Sequence, residues 1–156
     1  MTHNSVRKVG TATLQANEFE WISRFLYEKT GISLSDGKQA LVMGRLDKRL
    51  RAHGMQTYSE YFALLGRPGY EDETTAAIDL LTTNETYFFR EPKHFTYLEK
   101  VVFPAYAKQR NIRIWSAASS SGEEAYTIAM TLAEHFVSDN WEVIGTDIST
   151  RVLEKA

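Results

Sequence analysis

The sequence contains no cysteine, which excludes disulfide bonds and thiolate metal ligands and is typical of cytoplasmic proteins. No apolar run reaches the roughly 18 residues that a membrane-spanning helix needs. The segment from Met1 to Leu14 lacks the apolar centre of a signal peptide. The net charge is only −2, so no bulk positive field favours nucleic acid. We therefore expect a cytoplasmic protein with no nucleic-acid partner and no direct membrane insertion.

Two kinds of ligand-binding motif are also absent from the sequence. The histidines show no metal-ligand spacing, so we assign no metal site. There is neither a Gly-x-Gly-x-x-Gly phosphate loop nor the lysine-containing loop of P-loop nucleotide-binding proteins. These absences disfavour NAD and ATP as ligands.

The first half of the chain has only helical patterns. After a polar stretch of about a dozen residues, expected to be a loose tail, apolar residues recur at helical spacing. The predicted helices cover residues 17–27, 36–52, a third segment capped by Thr57 or Ser59 and running through Leu65, and 71–81. We predict a small all-α domain over residues 14–81.

The pattern changes after the polar segment 82–91, which we treat as a linker. Pro92 suits the first turn of a helix, and Pro104 is expected to end or kink that helix. A strand, a helix, a strand and a short helix capped by Ser149 are predicted next, at residues 112–116, 123–136, 142–146 and beyond Ser149. This order predicts the first part of a Rossmann-like α/β domain over residues 92–156.

The turn after the first predicted strand suggests a nucleoside site. Residues 117–122 are all small, which lets a ligand approach the backbone closely. Asp147 ends the second strand, where a carboxylate is placed to bind ribose hydroxyls, and Glu124 could line the same pocket. Carboxylates repel a pyrophosphate and attract a cationic sulfonium group, so charge favours S-adenosylmethionine.

These two carboxylates also have structural interpretations. Ser121 and Glu124 have the spacing of a capping box, in which both side chains bond to backbone N–H groups at the start of a helix. Asp147 could simply begin a turn before Ser149. Spacing alone leaves both interpretations open.

The linker offers further polar candidates. Asn84 and Thr86 present short polar groups, and Arg90 a fixed guanidinium fork that suits a carboxylate. The alternative is a capping break, since Thr82 and Glu85 also have capping-box spacing, followed by a solvated arginine.

The second predicted helix carries a basic stripe. Lys38, Arg45, Lys48 and Arg49 fall within roughly 100° of one another on a helix. Such a stripe could bind an acidic partner helix or a phosphate backbone, although a solvated face is the usual explanation.

Three segments in order, residues 82–91, 113–124 and 145–149, resemble the chemotaxis receptor methyltransferase family, CheR. Residues 40–51 also resemble that family's basic second helix. The resemblance implies S-adenosylmethionine-dependent methylation of glutamate side chains on cytoplasmic chemoreceptor helices, giving glutamate methyl esters and S-adenosylhomocysteine. A glutamate is already ionised near pH 7, so this reaction needs no general base.

The resemblance also implies roles for particular residues. The expected cofactor-site residues are Asn84, Thr86, Arg90, Glu124 and Asp147, with Asp147 on the ribose. Arg90 is the catalytic candidate, as an orienting or electrostatic group near the reacting atoms. The expected docking residues for the acidic receptor helix are Arg45, Lys48 and Arg49.

The family's catalytic domain carries several more strands than this sequence. We therefore expect an N-terminal fragment that is incomplete and inactive alone. Two parallel strands do not make a core, so the α/β part is expected to dimerise, to swap its α/β segment, or to be poorly ordered. A non-catalytic module that binds the receptor or S-adenosylmethionine is the alternative function.

Overall fold

The structure is a computed structural model that describes residues 12–107, 111–137 and 140–156. The tail expected before residue 12 lies outside the described residues. The chain divides into two compact units, Met1–Thr82 and Thr83–Ala156. The first unit is all-α and the second contains a parallel βαβ unit, which confirms the predicted fold class. Within the described ranges, no helix is long and apolar enough to cross a membrane.

The first unit consists of short helices around one apolar core. They are α1 (Ala16–Thr30), α2 (Gln39–Ala52), α3 (Tyr58–Phe62) and α4 (Glu71–Leu81). Their apolar faces bury a contiguous cluster whose fully enclosed members include Ile22, Leu26, Val42, Leu46 and Tyr61. The amphipathic periodicity of the sequence therefore identified the core-facing side of each helix.

Two helix starts in this unit refine the sequence-based predictions. The second helix begins at Gln39 and not at Asp36, because Gly37 adopts a left-handed φ of 86° that no helix interior accommodates. The third helix is capped by Thr57 and not by Ser59, since the Thr57 hydroxyl accepts a hydrogen bond from the Glu60 amide at 3.2 Å.

The second unit begins with an interrupted helical segment. It runs as α5 (Pro92–Tyr97), a π-helical turn (Leu98–Val102) and α6 (Phe103–Tyr106). Of the two outcomes expected at Pro104, an end or a kink, the helix does not end there, and its regular α-helical pattern is interrupted by the π-helical turn just before Pro104. Pro104 lies in the first turn of α6 and has no N–H to donate to the preceding turn, which is where the π-helical turn lies.

A parallel pair of strands follows, with one helix between them. Strand β1 (Ile112–Ser116) pairs in register with β2 (Trp141–Gly145), which begins and ends one residue earlier than predicted. Helix α7 (Glu123–His135) connects the strands, and α8 (Thr150–Leu153) follows β2. The apolar core of this unit contains Phe95, Phe103, Ile112, Ile128 and Leu132. Because the strands are parallel and in register, their carboxyl ends at Ser116 and Gly145 lie side by side. The candidate site lies at these carboxyl ends, which we call the strand edge.

Candidate functional site

The loop after β1 packs closely over the carboxyl end of β2. The Ser119 amide donates to the Thr146 carbonyl at 2.9 Å, and the Thr146 amide donates to the Ser116 carbonyl at 3.0 Å. Gly145 makes this approach possible, because a Cβ there would lie 2.9 Å from Ser119 Oγ. The small residues of the loop therefore allow a close approach of backbone to backbone within the protein itself.

Asp147 holds this loop through both of its carboxylate oxygens. Oδ2 accepts a hydrogen bond from the Ser120 amide at 2.8 Å, and Oδ1 accepts one from the Ser149 amide at 2.9 Å. The second bond is the turn that the structural interpretation predicted. Each carboxylate oxygen can accept a further bond, so the half-buried Asp147 keeps acceptor capacity for ribose hydroxyls.

Ser149 precedes α8 as predicted but does not cap it with its side chain. Its hydroxyl is fully buried and has no hydrogen-bond partner, while its amide is bound by Asp147. The predicted side-chain cap is therefore absent, because the Val152 and Leu153 amides at the start of α8 donate to the Ser149 carbonyl and not to its hydroxyl.

Ser120 connects Asp147 to the linker segment. Its amide binds Asp147, and its hydroxyl donates to the Asn84 carbonyl at 3.0 Å. The Asn84 side-chain nitrogen is buried without a hydrogen-bond partner. A buried amide donor without a partner is unusual and marks a place where a ligand acceptor would fit. Sequence reasoning missed Ser120, whose only signal was its position in the loop of small residues.

Glu124 contacts the end of β1 and does not form a capping box with Ser121. Its Oε1 accepts a hydrogen bond from Ser116 Oγ at 2.7 Å, while Ser121 Oγ donates to Glu123 at 2.8 Å. Helix α7 instead begins after Gly122, whose left-handed φ of 98° allows the turn. The capping-box interpretation is therefore wrong, because the helix starts one residue later than it requires.

Glu124 also faces an apolar cavity of about 320 Å³. The cavity is lined by side chains from α5, the π-helical turn, β1 and α7, namely His94, Phe95, Tyr97, Leu98, Ile114, Glu124 and Ile128. Glu124 therefore contributes a carboxylate to the lining of a largely apolar cavity.

The linker candidates lie on one segment that folds back on itself. Arg90 donates from Nη1 to the Glu85 carbonyl at 2.7 Å and is exposed, and Thr86 is half-buried. The capping break proposed at Thr82 and Glu85 is wrong, because Thr82 ends α4 and its hydroxyl donates to the Asp79 carbonyl. Asn84 and Asp147 are brought together through Ser120, while Arg90 is held by its own segment.

In the first unit, two residues of the basic stripe pack α2 against α4. Arg49 forms a two-pronged ion pair with the buried carboxylate of Glu73, whose Oε1 lies 2.9 Å from Arg49 Nε. Arg45 donates from Nη1 to the carbonyl oxygens of Leu81 and Thr82 at the end of α4. The solvated-face interpretation is therefore wrong for both arginines, whereas Lys38 and Lys48 are exposed.

Glu73 is the centre of a wider network. It also accepts hydrogen bonds from Tyr61 Oη at 2.5 Å and from His53 Nε2 at 2.9 Å. Burial by itself would raise the pKa of Glu73, but the bonds from Arg49, Tyr61 and His53 outweigh it and lower the pKa to about 2. Burial of the Tyr61 hydroxyl, together with its hydrogen bond to Glu73, raises the pKa of Tyr61. Glu73 is therefore ionised at neutral pH.

No group of His, Cys, Asp and Glu side chains in the described part of the chain is arranged to hold a metal ion. The site at the strand edge instead offers carboxylates, an unpaired amide and backbone groups. These groups suit hydroxyls and a cationic ammonium or sulfonium group, and so fit S-adenosylmethionine.

Comparisons with known proteins agree with this division of the chain. Residues 17–82 match a family model described as "CheR methyltransferase, all-alpha domain", and residues 84–156 match "CheR methyltransferase, SAM binding domain". Relatives include a "Chemotaxis protein methyltransferase" of Escherichia coli, 44% identical over 88% of this chain and 48% of its own length. One of Borreliella burgdorferi is 37% identical over 90% of this chain and 53% of its own length. The chain spans about half the length of these relatives.

Proposed function

Because the chain belongs to the CheR methyltransferase family, we propose that it takes part in S-adenosylmethionine-dependent methylation of glutamate side chains on chemoreceptor helices. These substrate helices lie in the cytoplasm, so we place the protein there. The observation that carries the proposal is the cluster at the strand edge, in which Ser120 joins Asn84 to Asp147.

The cofactor-binding residues in this proposal are Asn84, Thr86, Arg90, Glu124 and Asp147. Asp147 accepts hydrogen bonds from the ribose hydroxyls with the acceptor capacity that its two backbone bonds leave. The unpartnered side-chain nitrogen of Asn84 supplies a donor. Glu124 supplies a negative charge, which attracts the positive charge of the ligand.

When bound, S-adenosylmethionine supplies an activated methyl group on a positively charged sulfur. The acceptor glutamate has an ordinary pKa of about 4.3 and is ionised near pH 7, so the chain need supply no general base. Its task is to orient the two reactants. Arg90 is the residue that we place near the reacting ends, because it is exposed and its side chain has donors beyond the one bound to Glu85.

Receptor docking is assigned to the basic surface of α2, with Arg45, Lys48 and Arg49. Lys48 is exposed and available to an acidic helix. Arg45 binds carbonyl oxygens at the end of α4, so it contributes its charge from a fixed position. The charge of Arg49 is largely offset by its ion pair with Glu73, so its share in docking is smaller. Binding through such a surface is expected to weaken as salt concentration rises.

Titration calorimetry of S-adenosylhomocysteine into the 156-residue chain tests the cofactor assignment. We expect saturable binding that is lost in Asp147→Ala and kept in Asp36→Ala, a control in an exposed turn of the first unit. Absence of saturable binding by the unaltered chain would contradict the proposal that these residues make a cofactor site.

A non-catalytic role in receptor binding is the second candidate, favoured by the separate hydrophobic core of the all-α unit. Transfer of labelled methyl groups from S-adenosylmethionine to receptor glutamates separates the two candidates. Methyl-ester formation supports the first. Because the chain is expected to be inactive alone, the second is supported by receptor binding without S-adenosylhomocysteine binding, with receptor affinity unchanged in Asp147→Ala. Self-association of the α/β part remains a prediction, for which solution scattering is the measurement.

A further inference from the structure

The segment that carries Arg90 has an unusual backbone. Phe89 and Glu91, on either side of Arg90, both have a left-handed φ of 56°. This conformation is disfavoured for residues with a side chain and persists only where the surroundings hold it. Besides the bond from Arg90 Nη1 to the Glu85 carbonyl, the direction of Arg90 therefore depends on what holds the backbone of these two neighbours.

Thr127 holds the backbone of Phe89, the first of these two neighbours of Arg90, through a hydrogen bond. Its side chain is completely buried in α7, and its Oγ accepts a hydrogen bond from the Phe89 amide at 3.2 Å. The same hydroxyl donates to the Glu123 carbonyl at 2.6 Å. A threonine hydroxyl has one proton, and the bond to Glu123 uses it, so its lone pairs remain for the Phe89 amide.

The other contacts of this segment are more local. The Phe89 ring meets the Phe95 ring edge-on at 5.8 Å, and the Arg90 amide donates to the Tyr87 carbonyl at 3.3 Å. Thr127 instead belongs to the helix that carries Glu124 in its first turn. The hydroxyl of Thr127 thus connects the position of Arg90 to the helix that positions Glu124.

We propose that Thr127 is a positioning residue for the cofactor site, acting through the Phe89 amide to hold Phe89 in its left-handed conformation and so to direct Arg90. The proposal rests on the proposed function, because that function gives Arg90 and Glu124 a common ligand. Thr127 itself touches neither reactant.

Two substitutions in the 156-residue chain separate the hydroxyl from the shape of the side chain. Thr127→Val keeps the branched shape and removes the acceptor, whereas Thr127→Ser keeps the acceptor. We expect Thr127→Val to speed hydrogen exchange of the Phe89 amide about tenfold or more and to weaken S-adenosylhomocysteine binding about tenfold, the effect of one lost hydrogen bond. Thr127→Ser should leave the exchange rate and the affinity within about twofold of the unaltered chain, because a serine hydroxyl can accept the same hydrogen bond from the Phe89 amide.

Thr131→Val is the matched control. Thr131 lies one turn along α7, is also buried, and donates its hydroxyl to the Thr127 carbonyl at 2.7 Å. Removing that hydroxyl leaves the acceptor for Phe89 in place, so we expect neither measurement to change. If Thr127→Val does not fold, Thr127→Ala removes the same acceptor with a residue that favours helices.

Unchanged exchange of the Phe89 amide in Thr127→Val would overturn the proposal. So would faster exchange with unchanged affinity, because the hydroxyl would then not serve the site. If the unaltered chain binds no S-adenosylhomocysteine, the proposed function fails, and amide exchange alone then decides whether Thr127 holds the Arg90 segment.

Discussion

Replacing Glu73 by glutamine removes the charge that Arg49, Tyr61 and His53 share inside the all-α unit. The pKa of Glu73 falls from its ordinary value of 4.5 to about 2. At 1.36 kcal/mol for each pH unit, this fall corresponds to about 3 kcal/mol of stability. The Arg49 side chain is 36% exposed and partly screened. We therefore expect a loss of roughly 2–3 kcal/mol at neutral pH.

The stability that Glu73 contributes depends on pH in a definite direction. A lowered carboxyl pKa stabilises the folded state above the unfolded-state pKa, so the contribution of Glu73 is complete above about pH 4.5 and is lost as the pH falls towards 2. Glu73→Gln should remove this acid-dependent step, because glutamine does not ionise. The unit contains other carboxylates, so the difference between the two proteins is the relevant quantity.

Native-state hydrogen exchange of the amides in α2 and α4 measures the free energy of unfolding of this unit separately. Exchange at several pH values between 3 and 7 compares the unaltered chain, Glu73→Gln and the control Glu20→Gln, which alters an exposed carboxylate of α1. Equal stability of all three proteins at neutral pH would refute the reasoning, because it would mean that the network contributes nothing net.

Three other predictions test the strand edge, the packing of α2 and the basic surface. Gly145→Ala should destabilise the second unit by about 1–3 kcal/mol and weaken S-adenosylhomocysteine binding, because its Cβ would lie 2.9 Å from Ser119 Oγ. Gly44→Ala, in an open part of α2, should instead stabilise its unit by about 0.5–1 kcal/mol in denaturant unfolding. Lys48→Glu should weaken binding of an acidic receptor helix and flatten its salt dependence, with unfolding free energy unchanged within about 0.5 kcal/mol. Equal affinity of Lys48→Glu and the unaltered chain in low salt would exclude this docking surface.

Local patterns were enough to predict most of the secondary structure. The helix over Glu71–Leu81 and the strand over Ile112–Ser116 have the bounds expected from apolar spacing and flanking turn residues. Errors arose where one residue's backbone decided the boundary. Gly37 delays the start of α2, because it adopts a left-handed conformation that spacing alone does not reveal. Helix α7 begins at Glu123 as predicted, but the left-handed Gly122 before it excludes the Ser121–Glu124 capping box.

The sequence by itself determined the fold class and the segments from which the candidate site is built, because periodicity and turn chemistry act between neighbours along the chain. Tertiary structure decided what the polar side chains contact. Arg49 pairs with Glu73, 24 residues away, and Ser120 binds Asn84, 36 residues away. Such bonds form only when packing of the apolar faces brings distant segments together and excludes water from them. A pattern read along the chain contains no information about that proximity, so the roles of Arg49, Ser120 and Thr127 became visible only in the folded protein.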